Sequence, residues 1–350
     1  MKLDPRTTTL MRGVGILAII GHNFQYLVSD LPGVNEFVFE RENVEAFLSL
    51  VRASPLALPR LLVAYLGHYG VQVFIFLSAF GLTRSFLRAP PAFGVFLRTR
   101  VAKLYPPFVL AIVAWALWKG LPEGALGPMH RVSDHWGSLL LKLSLVSNLV
   151  RGEQLSLVGP WWFLPFIVQF YVVFPLLFRL STRGLVALSL AGFALTVGLN
   201  ETVLPGGFLL ATPLGHLPEF CLGIWWGRHP QAELPRGAIV AALLVFLAGN
   251  LVAPAWYLSH LAVLVLFLAA WPALAAVLER FGPLEQAVEW IGLLSLELFL
   301  VNGFLRDPFM TWAKRAGTER AAVLMGLLSF ATCLGWALLL RRLTTRRPPN

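Results

Sequence analysis

Long apolar runs separated by short polar stretches extend along the whole chain. A hydrocarbon core of about 30 Å requires about 20 largely apolar residues per crossing helix. That ruler marks about ten spans, near residues 8–28, 62–86, 101–119, 160–180, 184–200, 207–227, 237–256, 258–278, 286–306 and 321–340. The stretch 132–150 is apolar too, but it carries Asp134, His135, Lys142 and Asn148. It is therefore expected in the interface or as a re-entrant segment. The longest segments between spans, 29–61 and 120–159, hold most of the loop acid, including Asp30, Glu36, Glu40, Glu42, Glu45, Glu123 and Glu153. The pattern predicts an all-α polytopic membrane protein, a bundle of about ten transmembrane helices. Residues 1–350 are expected to form one membrane-embedded domain, with no appended soluble domain.

Composition changes that picture only by excluding alternatives. The chain is 57% hydrophobic and 13% charged, about half the charge that coats a soluble globule. Its formal charge of +10 does not gather into one stripe, so nucleic acid is not an expected partner. The basic residues sit instead in short clusters between apolar runs, where topology signals belong. Lys2, Arg6 and Arg12 share a side with Arg84, Arg88, Arg98, Arg100 and Lys103, then with Arg179, Arg183, Arg228, Arg236 and Arg280, and finally with Arg341, Arg342, Arg346 and Arg347. Lys314, Arg315 and Arg320 are a local exception. The bias places both termini in the cytoplasm of a cell inner (plasma) membrane. Cys221 and Cys333 both fall in apolar stretches, which argues against a disulfide framework. The first apolar run holds Arg12 and His22 and lacks a small-residue cleavage site, so it reads as a spanning helix, not a cleaved signal.

In such a chain the informative residues are polar groups placed where hydrocarbon is expected. Arg12 and His22 lie about 15 Å apart on the first helix at a 1.5 Å rise per residue. Histidine is the side chain best suited to take and return a proton near neutral pH. His22 and Asn23 equally fit interhelical hydrogen bonding, and Gly13, Gly15 and Gly21 leave room for a neighbouring helix or a ligand. GVQVFIFLSAFGLTRSF carries Gln72, Ser78 and Thr83, which also suit close helix packing. FLRTRVAKLYPP sets Arg98, Arg100 and Lys103 before Tyr105 at the mouth of a span, as a topology anchor or as a phosphate clamp. Trp161, Trp162, Gln169 and Tyr171 share one span, Trp161 as a member of the interfacial aromatic belt. His216 and Glu219 share another, where Glu219 needs a partner or a wet cavity. Ser295, Glu297 and Asn302 occupy a late span, followed by Arg306 and Asp307, a local salt bridge at the outer interface. The sequence has no GxxxxGK[ST] loop, HExxH pair or CxxC cluster, so nothing supports ATP hydrolysis or a bound metal.

Taken in order, these segments resemble the acyltransferase family 3 of integral membrane proteins. Arg12 and His22 resemble its basic–His pair on the first helix. GVQVFIFLSAFGLT is similar to its GVxxFFxLSGFL segment, with Ala79 where the first glycine usually stands. FLRTRVAKLYPP resembles FxxRRxxRxYP, which maps Arg100 and Lys103 onto the basic pair. WWFLPFIVQFYVVFPLL and LSLELFLVNGF resemble two later helices. The match is collinear from residue 8 to about 305. The Arg12–His22 spacing is one residue shorter than usual, which rotates His22 by about a quarter turn unless the glycines admit a bulge. Ile167 and Val168 stand where many members have carboxylates, and Asn302 where others have histidine.

The resemblance implies O-acyl transfer, usually of acetyl, from acetyl-coenzyme A or another acyl-coenzyme A to a hydroxyl of a glycan or lipid-linked sugar. The donor is a substrate, and no tightly bound cofactor is implied. His22 is the expected base, with Arg12 orienting the donor and Asn23 donating to the developing oxyanion. Arg98, Arg100, Lys103 and Tyr105 would bind coenzyme A, with Ser78 lining its tunnel. Trp162, Gln169, Tyr171, Glu219 and Asn302 are the expected acceptor-side residues. The alternative is a transporter or proton-coupled carrier using His22, Glu219 and Glu297 as relay groups. The chain shows neither the inverted repeats nor the paired broken helices of that class.

Overall fold

The computed structural model describes residues 3–29, 31, 34–204 and 207–345, so Lys2, Asp30, Arg346 and Arg347 of the charge pattern lie outside the described residues. The described residues contain helices and no strand. In chain order these are α1 (Pro5–Val28), α2 (Arg41–Ala53), α3 (Leu58–Leu66), α4 (Gly70–Arg88), α5 (Phe93–Gly120), α6 (Gly127–Asp134), α7 (Trp136–Leu143) and α8 (Phe163–Leu177). There follow α9 (Thr182–Thr202), α10 (Leu217–Arg228), α11 (Arg236–Gly249), α12 (Ala253–Arg280), α13 (Gly282–Leu293), α14 (Ser295–Leu305), α15 (Asp307–Ala316) and α16 (Glu319–Thr344). The starts follow local chemistry. Asp4 caps α1 by accepting from the Thr7 N–H at 2.8 Å, with Pro5 in the first turn. Ser181 and Thr318 cap α9 and α16 in the same way, each satisfying a donor that a helix start leaves without an intrahelical partner.

Among the described residues, six stretches are long and apolar enough to cross a bilayer: Pro55–Arg88, Phe93–Glu123, Gly159–Leu177, Thr182–Asn200, Ala253–Arg280 and Glu319–Thr344. The bent pair α13–α14 makes a seventh if it is taken as one span. The other expected spans fall on helices that are shorter or more polar. With 12 and 14 residues, α10 and α11 are too short to cross 30 Å alone, and α1 carries Arg12, His22, Asn23 and Gln25. The whole is a multi-pass membrane protein turned inside out relative to a soluble one. Leu176, Leu190, Leu244 and Leu327 are exposed, whereas His22, His68, His216, Glu219 and Asn302 are buried. This is the arrangement that a hydrocarbon solvent selects.

The unbroken helix α1 is the axis of the fold and packs on α3, α4, α13 and α14. It contains no bulge, so the shorter Arg12–His22 spacing is carried by plain helical geometry. Gly13 is where α13 presses in: a Cβ there would sit 2.1 Å from the Val288 carbonyl oxygen. The expected span 286–306 is interrupted at Leu294, and α13 and α14 meet at 80°. The continuous span expected there is thus a sharply bent pair of helices. The bend lets α14 turn toward α1, with Ser295 at the break. The 132–150 stretch holds the end of α6, the eight-residue α7 and the irregular segment after it, and is not among the long apolar spans. Its buried Lys142 donates to the carbonyls of Glu153 and Gln154.

Two local expectations change. Trp161 is no belt residue, since it is fully buried and its Nε1 donates to the Leu300 carbonyl at 2.8 Å. Arg306 and Asp307 do not pair with each other. Asp307 pairs with Lys119 of α5, while Arg306 donates to the Asn23 carbonyl at 2.6 Å. Adjacent residues on a helical backbone point about 100° apart, so each finds a partner on a different element. Cys221 and Cys333 are buried free thiols, as their apolar settings implied. Gly13→Ala should destabilise the detergent-solubilised protein by about 1–3 kcal/mol through overpacking, read as a lower unfolding midpoint.

Candidate functional site

Residues of α1, α4, α5, α8 and α14 line a cavity of about 480 Å³. Arg12, Arg88 and Arg100 line it, together with Ser78, Ser85 and Tyr171, and no carboxylate lines it among the described residues. Arg100 also stacks its guanidinium over the Phe96 ring at 5.7 Å. Three guanidiniums without a counter-ion in one concave space make a strong anion-binding field.

A second cavity, of about 130 Å³, lies farther along α1. Its polar lining includes His22, Asn23, Tyr26, Glu36, His68 and Arg306, and Trp162 forms part of its wall. Ile19, Val71 and Phe299 line both cavities. These three apolar side chains thus form a collar between a basic chamber and a small polar one. Along α1 the order is Arg12, Ile19, His22, Tyr26, at helical spacings that keep one face toward both cavities.

His22 is fixed from two directions. Its Nδ1 lies 2.7 Å from the Ala64 carbonyl, in the last turn of α3 where intrahelical partners run out. A carbonyl only accepts, so Nδ1 carries the proton and Nε2 is left as the acceptor. Tyr26, one turn on, stacks on the ring at 4.6 Å. Asn23 donates its amide to Asn302 Oδ1 at 2.7 Å, and Asn302 donates in turn to the Phe299 carbonyl at 2.7 Å. This chain of amides ties α1 to α14 beside the collar.

The irregular segment before α2 closes the second cavity. Asn35 Oδ1 accepts from the backbone N–H groups of Phe37 and Val38, forming a side-chain-mediated turn. The turn presents Glu36, whose carboxylate accepts from Trp162 Nε1 at 3.0 Å. Burial pushes the Glu36 carboxyl above its ordinary range, against the opposing pull of hydrogen bonds and of His216.

The structure gathers Arg12, Ser78, Arg100 and Tyr171 around the first cavity and His22, Asn23 and Trp162 around the second, with Asn302 hydrogen-bonded to Asn23. It does not bring the other expected residues to either space. Arg98 and Lys103 are exposed on α5. Tyr105 donates to the Leu143 carbonyl at 3.0 Å and ties α5 to α7. Gln169 exchanges amide hydrogen bonds with Asn148. Glu219 is buried with its carboxylate 3.8 Å from His216 Nδ1. In the sequence Arg88, Glu36 and Arg306 are charges of loops and span ends, and no apolar periodicity marks Tyr26 or His68. The GHYG turn at 67–70, which breaks one apolar run into α3 and α4, was the available signal for His68.

Glu36 provides a test. Because its folded carboxyl holds the proton to higher pH than the unfolded one, wild-type stability falls as pH rises from the ordinary carboxylate range to the folded value. Glu36→Gln keeps an acceptor for Trp162 and removes that loss. The variant should therefore melt with the wild type at acid pH and above it at neutral pH in a thermal series across both.

A family model described as an acyltransferase domain matches residues 8–342. No curated protein and no solved structure matches the chain.

Proposed function

The chain belongs to the membrane acyltransferase family 3, and from that premise we propose that it moves an acyl group, acetyl by preference, from acyl-coenzyme A to a hydroxyl of a glycan or lipid-linked sugar. The observation that carries the reading is the pair of cavities sharing one apolar collar, with His22 on the far side of it from the basic chamber. Coenzyme A is a polyanion with a long, thin arm that ends in the thioester. Its phosphates suit Arg12, Arg88 and Arg100, which offer forked donors to anionic oxygens. The arm then follows α1 toward Ile19, and the collar passes the thioester to His22.

The acceptor enters from the other cavity. Its volume and mixed lining suit one sugar ring: carboxylate, guanidinium and amide groups for hydroxyls, and the rings of Trp162 and Tyr26 for an apolar sugar face. His22 Nε2 takes the proton of the attacking hydroxyl as its oxygen bonds to the thioester carbonyl carbon. The tetrahedral adduct collapses, the C–S bond breaks with its electrons on sulfur, and the imidazolium returns the proton to the thiolate. The product is an ester and free coenzyme A. The basic chamber would then face the cytoplasm, where coenzyme A is made, with both termini on that side of the inner membrane. The acceptor cavity would face outward, and residues 1–350 would work as one membrane-embedded unit without a resident cofactor.

Two measurements test this reading. His22→Ala should lower transfer from radiolabelled acetyl-coenzyme A to cell-envelope carbohydrate by at least about 10²-fold, with membrane insertion and gel-filtration behaviour kept. Retained transfer would end the proposal. Arg100→Ala should raise the KM for acetyl-coenzyme A roughly 10-fold, the equivalent of one charge-assisted phosphate contact. It should leave the KM for S-acetyl-N-acetylcysteamine, which has no phosphates, unchanged.

A further inference from the structure

His68 lies in the one-turn 3-10 segment Gly67–Tyr69 that joins α3 to α4, and it lines the same small cavity as His22. The two imidazole centroids are 5.1 Å apart with the rings tilted by 59°. The placement is built into the backbone. A Cβ on Gly67 would sit 2.4 Å from the Ala18 carbonyl oxygen and 2.7 Å from His22 Cβ. Only glycine lets the turn press this close to α1, and the following residue is thereby held beside His22.

The side chain is 4% exposed, and neither ring nitrogen has a hydrogen-bond partner among the described residues. The nearby Tyr65 carbonyl falls short of hydrogen-bonding geometry. A buried polar group left without a partner is costly, and a bound partner in the cavity removes that cost. A neutral imidazole carries one N–H in either tautomer, so His68 has a donor free for a ligand whichever nitrogen bears the proton. The Asn23 amide, the donor expected from the sequence, spends one of its two N–H groups on Asn302.

We propose that His68 is a catalytic residue of acyl transfer that donates its N–H to the carbonyl oxygen of the thioester as negative charge develops there. The proposal rests on the acyl-transfer reading above. The hydroxyl oxygen bonds to the carbonyl carbon, the carbonyl π electrons move to oxygen, and His68 holds the resulting oxyanion. The hydroxyl proton sits on His22 Nε2. When the adduct collapses, the electrons re-form the carbonyl, the C–S bond breaks and the proton passes from His22 to sulfur. His68 ends unchanged, and no further reactant is consumed. A donor aimed at an oxyanion inside a water-poor membrane cavity stabilises it far more than the same donor would in water.

The test compares His68→Leu with His68→Asn in the full-length protein in lipid nanodiscs. The donor is radiolabelled acetyl-coenzyme A and the acceptor is the cell-envelope carbohydrate fraction of a strain lacking this protein. Both side chains fork at Cγ, and only Asn carries an N–H. His68→Leu should lower kcat about 10²–10³-fold, the loss typical of one oxyanion donor, with the KM for acetyl-coenzyme A within about 2-fold of wild type. His68→Asn should recover at least about 10-fold of that loss. Both should keep the wild-type shape of the pH profile, since His22 still handles the proton. Equal kcat in His68→Leu and wild type, or equal loss in the two variants with matched unfolding midpoints, would overturn the assignment. If the wild type itself transfers no label, the acyl-transfer reading fails instead, and the two failures are told apart.

Discussion

The hydrogen bond from His22 Nδ1 to the Ala64 carbonyl is the interaction on which the site depends. In water such a bond would contribute little, because both groups would be hydrated otherwise. Between two helices in a membrane protein neither group has that alternative, and losing the bond leaves both unsatisfied. The bond draws the end of α3 onto α1 and sets the imidazole tautomer. It also brings the Gly67–Tyr69 turn, and with it His68, against the same turn of α1. One contact therefore sets register, protonation and neighbourhood together.

The two cavities differ in the way their proposed ligands would require. Among the described residues the larger is lined by arginines without a carboxylate, the smaller by groups of both signs and by amides and rings. Between them stand Ile19, Val71 and Phe299, which offer an acyl thioester nothing to hydrogen-bond and no charge to exclude it. A polyanion would be held at the basic end by its phosphates, and an apolar acyl group would pass where ions cannot. The broken span contributes here as well. Because α13 and α14 meet at 80°, Phe299 reaches the collar and Asn302 reaches Asn23.

Other buried polar groups serve the scaffold. Lys142 donates to two loop carbonyls, Gln169 and Asn148 exchange amide bonds, and Arg60 reaches Glu319 of α16 and Ser29 at the end of α1. In a bilayer these pairings do what apolar burial does in water, since lipid offers no hydrophobic force between helices. This is why Gln169 and Glu219, which resemble site residues in the sequence, lie apart from both cavities. Polarity within a span marks a group that needs a partner, and the partner is as often another helix as a ligand.

The class of the protein follows from the sequence by itself, because a low charge content and repeated 20-residue apolar runs admit one solvent only. His22, Arg12 and Arg100 were legible for the same reason: each is a polar group that hydrocarbon would reject, set in an ordered series of segments resembling one family. The tertiary structure alone decided what faces what. It separated Arg98 and Lys103 from Arg100 although all three share one helix: two residues at 100° each send Arg98 to the opposite side, and Lys103, one turn on from Arg100, is left exposed by the packing around it. It brought Glu36 and Arg306 from distant segments to His22, and it placed His68 beside His22 through a glycine turn that no apolar periodicity marks. Periodicity encodes which face of a helix is buried, but the neighbour that buries it is chosen by packing among helices far apart in the chain.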